Sequence, residues 1–99
     1  MEKVEIKGAG NEGDRLPILV YGRPGCDDTD YVREQMNLLH VPFAEVNIDA
    51  DKAAEAYVIT VNHGLRMTPT IVFGAEDFII VQPTRNELFQ ALRRAGYEA

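Results

Sequence analysis

Apolar positions along this chain fall into short runs separated by turn-forming residues, and the spacing within the runs changes from one to the next. Leu16 to Tyr21 is nearly continuous, with Ile18, Leu19 and Val20 in succession, as in a strand covered on both faces. Gly22-Arg23-Pro24-Gly25 closes it as a turn. Over Asp27 to His40 the apolar residues recur at Val32, Met36 and Leu39, with Leu38 alongside, which is helical spacing. Asp27, Asp28 and Asp30 crowd the first turn, where carboxylates meet the positive end of the helix dipole. Val41-Pro42 stops that helix, because the residue before a proline is steered out of helical backbone, and Phe43 to Ile48 alternates as a second strand.

Asp51 to Asn62 predicts a further helix. Ala53, Ala54 and Ala56 favour it, the β-branched run Val58-Ile59-Thr60-Val61 weakens it, and Gly64 suits its C-terminal turn. Thr70 to Phe73 and Phe78 to Val81 predict two brief strands joined by the four-residue loop Gly74-Ala75-Glu76-Asp77. Thr84-Arg85-Asn86-Glu87 is a capping box opening a last helix, whose apolar face is Leu88, Ala91, Leu92 and Ala95 before Gly96. The order βαβαββα predicts an α/β domain: a parallel strand pair with a crossover helix, then an antiparallel hairpin, giving a four-stranded mixed sheet flanked by helices. Gly8 to Arg15, rich in glycine and charge, reads as a flexible connection to an optional leading strand at Val4 to Ile6. Residues 1–15 are therefore expected to be an extension and 16–99 one domain, which is all that 99 residues can build around a single core.

Charge and cysteine content narrow the function. A formal charge of -6 works against phosphate backbones, so nucleic acid is not an expected partner. No apolar run approaches the ~20 residues needed to span a bilayer, which predicts a soluble chain without a membrane partner. One cysteine forms no intrachain disulfide, and this fits a reducing cytoplasm. One Cys and two distant His do not supply a zinc site, so no metal is expected. His40 and His63, beside predicted helix ends, read as structural residues.

Cys26 lies at the start of a helix rather than on an apolar face. A thiolate is the nucleophilic form of cysteine, and the unpaired N–H groups and partial positive charge of a helix N-terminus stabilise it. Arg23 adds a full positive charge three residues earlier. Asp27 and Asp28 oppose ionisation by about 1.4 kcal/mol for a unit charge ~6 Å away at an effective dielectric of about 40. The helix terminus contributes about 0.3 to 2 kcal/mol in the other direction, a range that spans the opposing effect, so the two can nearly cancel and residue type leaves the reactivity of Cys26 open.

Three segments together carry a resemblance: Tyr21-Gly22-Arg23-Pro24-Gly25-Cys26 at a strand-to-helix turn, Val46-Asn47-Ile48-Asp49 in the second strand, and Arg66-Met67-Thr68-Pro69-Thr70 before the third. From Leu16 to about Ala95 the chain resembles the glutaredoxins, which have the thioredoxin fold. Gln82-Pro83-Thr84 at the last helix makes it similar to the short bacterial glutaredoxin-like proteins that include the mycoredoxins. The resemblance implies a thiol-disulfide oxidoreductase serving redox homeostasis, with Cys26 as its nucleophile. It also implies a cis Thr68-Pro69 bond that sets the Thr68 backbone opposite the cysteine. Tyr21, Arg23, Arg66, Thr68, Pro69 and Thr84 would surround the thiol substrate, with Arg23, Arg66 and the helix start at Thr84 receiving its carboxylates.

Two departures shape the expectation. Thr29 stands where dithiol members carry a second cysteine, so exchange must use an external thiol, and the Thr29 hydroxyl can hydrogen-bond the Cys26 sulfur. Val81-Gln82-Pro83 stands where many glutaredoxins carry Gly-Gly and a following Asp, so the co-substrate is glutathione or another low-molecular-weight thiol, with no tightly bound cofactor. The expected protein is a cytoplasmic monomer acting on mixed disulfides of thiol- or disulfide-containing proteins. The alternatives are a binding module that has lost exchange, and an iron-sulfur-binding single-thiol glutaredoxin, which Asp27 in place of a glycine disfavours.

Overall fold

The computed structural model describes residues 15–98. The strand expected at Val4 to Ile6 lies outside the described residues. Seven elements follow in the order β1 (Ile18–Gly22), α1 (Asp27–Leu38), β2 (Ala44–Asn47), α2 (Lys52–Val61), β3 (Thr70–Phe73), β4 (Phe78–Val81) and α3 (Arg85–Arg94). The strands form one sheet in the order β2-β1-β3-β4. β1 and β2 run parallel with α1 as their crossover, β3 is antiparallel to β1, and β3 and β4 make the hairpin with Phe73 opposite Phe78. This is the mixed, helix-flanked architecture that the element order predicts.

Alternation decides which helix covers which face. Ile18 and Val20 of β1 and Ile71 and Phe73 of β3 point to one side, where they pack with Val32 and Met36 of α1 and Leu88 and Leu92 of α3. Tyr21 and Val46 point to the other, against Ile48 and the Ala54 and Val58 face of α2. All four residues of β3, in the middle of the sheet, are buried. Each fully buried aliphatic or aromatic side chain here contributes about 1.5 to 3 kcal/mol by leaving water. β1 is more one-sided than its unbroken apolar run suggests: Leu19 and Tyr21 stay half-buried, because α2 is the lighter cover.

Each helix ends by one device. Past α1, the N–H of His40 bonds the carbonyl of Asn37 and that of Val41 the carbonyl of Met36. α2 repeats the pattern with His63 and Gly64, and α3 with Gly96 and Tyr97. The residue that turns the chain is left-handed in each case, at φ 57 for His40, 58 for His63 and 100 for Gly96. α1 therefore ends two residues before the predicted His40, at Leu38. Both histidines serve as helix terminators in place of glycine. β1 begins at Ile18, not Leu16, although Leu16 still packs against the core and donates its N–H to the Ala95 carbonyl.

Candidate active site

Strand β1 delivers the chain to the site and α1 carries it away. Between them Gly25, at φ 76, takes the left-handed conformation that a side chain disfavours. Cys26 follows as the N-cap of α1 in extended backbone (φ -92, ψ 116), and its carbonyl accepts the first helical bond from Asp30 N at 2.9 Å. Its side chain caps nothing, which leaves the sulfur, half-buried, pointed at the facing loop. Gly22 allows the next turn to close in: a Cβ there would lie 2.3 Å from Cγ2 of Thr29. Thr29 is thereby fully buried beneath the cysteine.

The facing loop joins α2 to β3 and is pinned from below. Asn62 donates through Nδ2 to the carbonyl of Val58 at 2.8 Å and to Oγ1 of Thr70 at 3.1 Å, while the Thr70 hydroxyl donates to the Met67 carbonyl at 2.8 Å. Thr68 and Pro69, joined by a cis peptide bond, are both buried between these anchors. Oγ1 of Thr68 stands 3.3 Å from the Cys26 sulfur, and the Thr68 carbonyl oxygen stands 3.8 Å from it.

Burial pushes the Cys26 thiol up. The hydroxyls of Thr29 and Thr68 and the N–H groups of Thr29 and Asp28 favour the thiolate and together prevail, so its pKa falls below the ordinary cysteine value. Of these donors Thr29 Oγ1 is distinct: it lies close enough to weigh on the sulfur, yet makes no formed hydrogen bond to any group and is buried without a partner. A negatively charged sulfur is an acceptor that would satisfy it.

Gln82, which sequence reading marks only as part of the Gln82-Pro83-Thr84 signature, belongs to this site. Its backbone N–H bonds the Pro69 carbonyl at 2.9 Å, and its side-chain amide bonds the Thr68 carbonyl at 3.2 Å. It does so from a left-handed backbone, φ 46. No residue-type pattern announces that contact, because it follows from how β4 ends beside the proline turn.

The other nominated residues are placed as follows. Arg23 is half-buried in the turn before Cys26 and pairs with no described residue. Arg66, two residues before Thr68, is held by carboxylates of the chain itself, Asp49 through Nη2 and Glu55 through Nε, the latter at 2.7 Å. Thr84 is the N-cap of α3: its hydroxyl accepts from Glu87 N at 3.2 Å and its own N–H donates to the Glu87 carboxylate at 2.8 Å. Tyr21 lies on the α2 side, its ring 5.1 Å from that of Tyr57, and burial together with Asp51 and Glu76 raises its pKa. The structure thus brings Cys26, Thr29, Thr68, Pro69 and Gln82 together, sets Arg23 and Arg66 on the flanking loops, and turns Tyr21 toward the second core cluster. Two open grooves, one between β4 and α3 and one beside Phe43 and Tyr97, include neither Cys26 nor Thr68.

A cysteine at a strand-to-helix turn facing a proline turn agrees with the comparison to known families: the Glutaredoxin family pattern matches residues 18–79, more than half of the chain. The chain belongs to the glutaredoxin family. No curated protein matches it significantly. Among solved structures, the thioredoxin-like protein BC3987, crystallised as a point mutant, is similar at 24% identity over 79% of this chain and 95% of that one, with a TM-score of 0.63. Buckwheat glutaredoxin, solved as a glutathione complex, is similar at 18% identity over 85% of this chain and 83% of that one, with a TM-score of 0.62. The solution structure of a glutaredoxin from Brucella melitensis gives 17%, 85%, 86% and 0.59 for the same measures. These likenesses establish the thioredoxin-like fold of this glutaredoxin, and the family match covers both the Cys26 turn and the Thr68-Pro69 turn.

Proposed function

We propose that this glutaredoxin is a single-thiol oxidoreductase that removes low-molecular-weight thiols from mixed disulfides. The observation that carries the reading is the sulfur of Cys26 at a helix N-terminus, 3.3 Å from the Thr68 hydroxyl beside Pro69, with its pKa below the ordinary value. The Cys26 thiolate attacks the small-thiol sulfur of a mixed disulfide. One S–S bond forms, the original one breaks, and the protein substrate leaves as a thiolate that takes a proton from water. A second molecule of the small thiol then attacks the Cys26 adduct, releasing a small-molecule disulfide and restoring the cysteine. No step calls on a second cysteine, consistent with Thr29 at that position.

A peptide-like adduct on the sulfur would pair with the adjacent Thr68 backbone as a strand does, taking over the carbonyl that the Gln82 amide now holds. The buckwheat relative's complex with glutathione supports a small thiol as co-substrate. The test is a coupled assay in which a glutathionylated peptide, glutathione, glutathione reductase and NADPH are supplied together. Wild type is expected to consume NADPH and Cys26→Ser to consume none above background. Turnover that survives Cys26→Ser would overturn the assignment.

A further inference from the structure

An added strand pairs through backbone N–H and C=O groups in turn, so an adduct that docks on Thr68 calls on both of that residue's backbone groups. Among the described residues, the Thr68 N–H has no acceptor. Its carbonyl is engaged: the Gln82 side-chain amide donates to it at 3.2 Å, and the Cys26 sulfur stands 3.8 Å away. Gln82 differs from the other groups that hold this loop. Asn62 and Thr70, which pin it from below, are buried, whereas Gln82 is exposed. Its backbone is fixed separately from its amide. The Gln82 N–H bonds the Pro69 carbonyl at 2.9 Å, one step beyond the pairing of Thr70 with Val81, and a left-handed φ of 46 turns the chain out of β4 there. The amide can therefore leave the Thr68 carbonyl by side-chain rotation alone, which is fast for an exposed residue and moves no part of the proline turn. An N–H brought in by an adduct either displaces the amide or shares the oxygen with it in a weaker bond, and both outcomes cost part of the new bond.

We propose that Gln82 is a specificity-determining residue of this site, an inference that rests on the thiol-exchange reading above. By holding the Thr68 carbonyl it weakens the docking of adducts that pair there through a backbone N–H, and it leaves adducts without such a donor unaffected. Peptide-like adducts still dock, but less tightly than the Thr68 backbone would hold them alone. The exchange is the one already written: with a symmetric disulfide, Cys26 gains one half through a new S–S bond, the original S–S bond breaks, and the other half leaves as its thiolate and takes a proton from water.

The test measures, by intact mass at equilibrium, the exchange constants of Cys26 with two uncharged disulfides, each in the presence of its own thiol. One is the disulfide of N-acetylcysteine N-methylamide, which carries a backbone N–H beside its cysteine side chain. The other is bis(2-methoxyethyl) disulfide, which carries no donor. Each constant is divided by that of an unstructured one-cysteine peptide, and the ratio of the first to the second is compared between wild type and variants. Because both constants start from one thiol, any change in its acidity cancels in the ratio. The ratio is expected to rise about threefold in Gln82→Met, which keeps the length of the side chain and loses its donor, the factor for one exposed neutral hydrogen bond. It is expected to rise at least as far in Gln82→Gly, which suits the left-handed backbone. A rise confined to Gln82→Gly would assign the effect to bulk and overturn the role of the amide. A ratio unchanged or lowered in both variants would overturn the inference and leave the exchange reading standing. Failure of Cys26 to form an adduct with either disulfide, where the unstructured peptide does, would overturn both.

Discussion

Around the sulfur, acidity is set by a balance of opposing contributions from named groups. Desolvation resists ionisation, and the donors of Thr29, Thr68 and Asp28 outweigh it. Replacing Thr29 or Thr68 by valine keeps the shape and removes a hydroxyl, so the midpoint of Cys26 alkylation against pH is expected to rise in both variants. The stability effects should differ. Thr68→Val discards a formed contact, while Thr29→Val discards a buried hydroxyl without a partner and should be neutral or stabilising by about 1 kcal/mol in urea unfolding. The linkage sign follows from the lowered folded pKa. Cys26 adds stability that is complete above the unfolded value of about 8.5 and is lost as the pH falls through the folded value. Gln82 acts one bond further out. Its amide competes with the thiol for the Thr68 carbonyl, and removing that amide leaves the carbonyl freer to hold the proton on sulfur. Gln82→Gly suits the left-handed backbone, so the protein should unfold within about 1 kcal/mol of wild type while Cys26 alkylation again shifts to higher pH. An unchanged midpoint would show that Gln82 has no part in the acidity of the thiol.

Among the elements, helix ends do most of the positioning. α3 begins with the reciprocal bonds between Thr84 and Glu87, and the capping hydroxyl stabilises that end by about 1 kcal/mol, so Thr84→Ala should lower the unfolding free energy by that amount, read as a lower urea midpoint with the slope unchanged. A midpoint equal to wild type would show that packing of Leu88 and Leu92 holds the terminus unaided. That capping box was legible in the sequence because its residue types and spacing are specific, as were the hairpin between β3 and β4 and the place of Cys26 at a helix start. The end of α1 was read less well, because left-handed His40 replaces the glycine that normally announces such a turn and the helix stops at Leu38, two residues before His40; after α2 and α3 the expected Gly64 and Gly96 do take part in the turn. β2 is shorter than Phe43 to Ile48 because an edge strand pairs only where β1 faces it, from Ala44 to Asn47. In the site, residue type nominated Cys26, Thr29, Thr68 and Pro69. It gave no sign that Arg66 is engaged by Asp49 and Glu55, or that Gln82 reaches the proline turn, because those contacts depend on side-chain placement that residue type does not announce.

At the scale of the whole molecule, the fold serves to hold two turns in opposition. The parallel pair β1 and β2 places Cys26 at one end of the sheet, and β3, antiparallel to β1, begins at the same end just after Pro69. Core packing on both faces fixes β1 and β3 against one another, and with them the distance between sulfur and Thr68. On the exchange reading, function depends on a rigid scaffold that holds a half-buried sulfur against the facing loop. The most direct measurement is stoichiometric: mix the reduced protein with a peptide held in a mixed disulfide with a small thiol, and follow intact mass at neutral pH. The small thiol should appear on Cys26, with free peptide released in equal amount, faster than on an unstructured cysteine peptide. Transfer no faster than to that peptide, or no adduct at all, would contradict the assignment of Cys26 as an activated nucleophile.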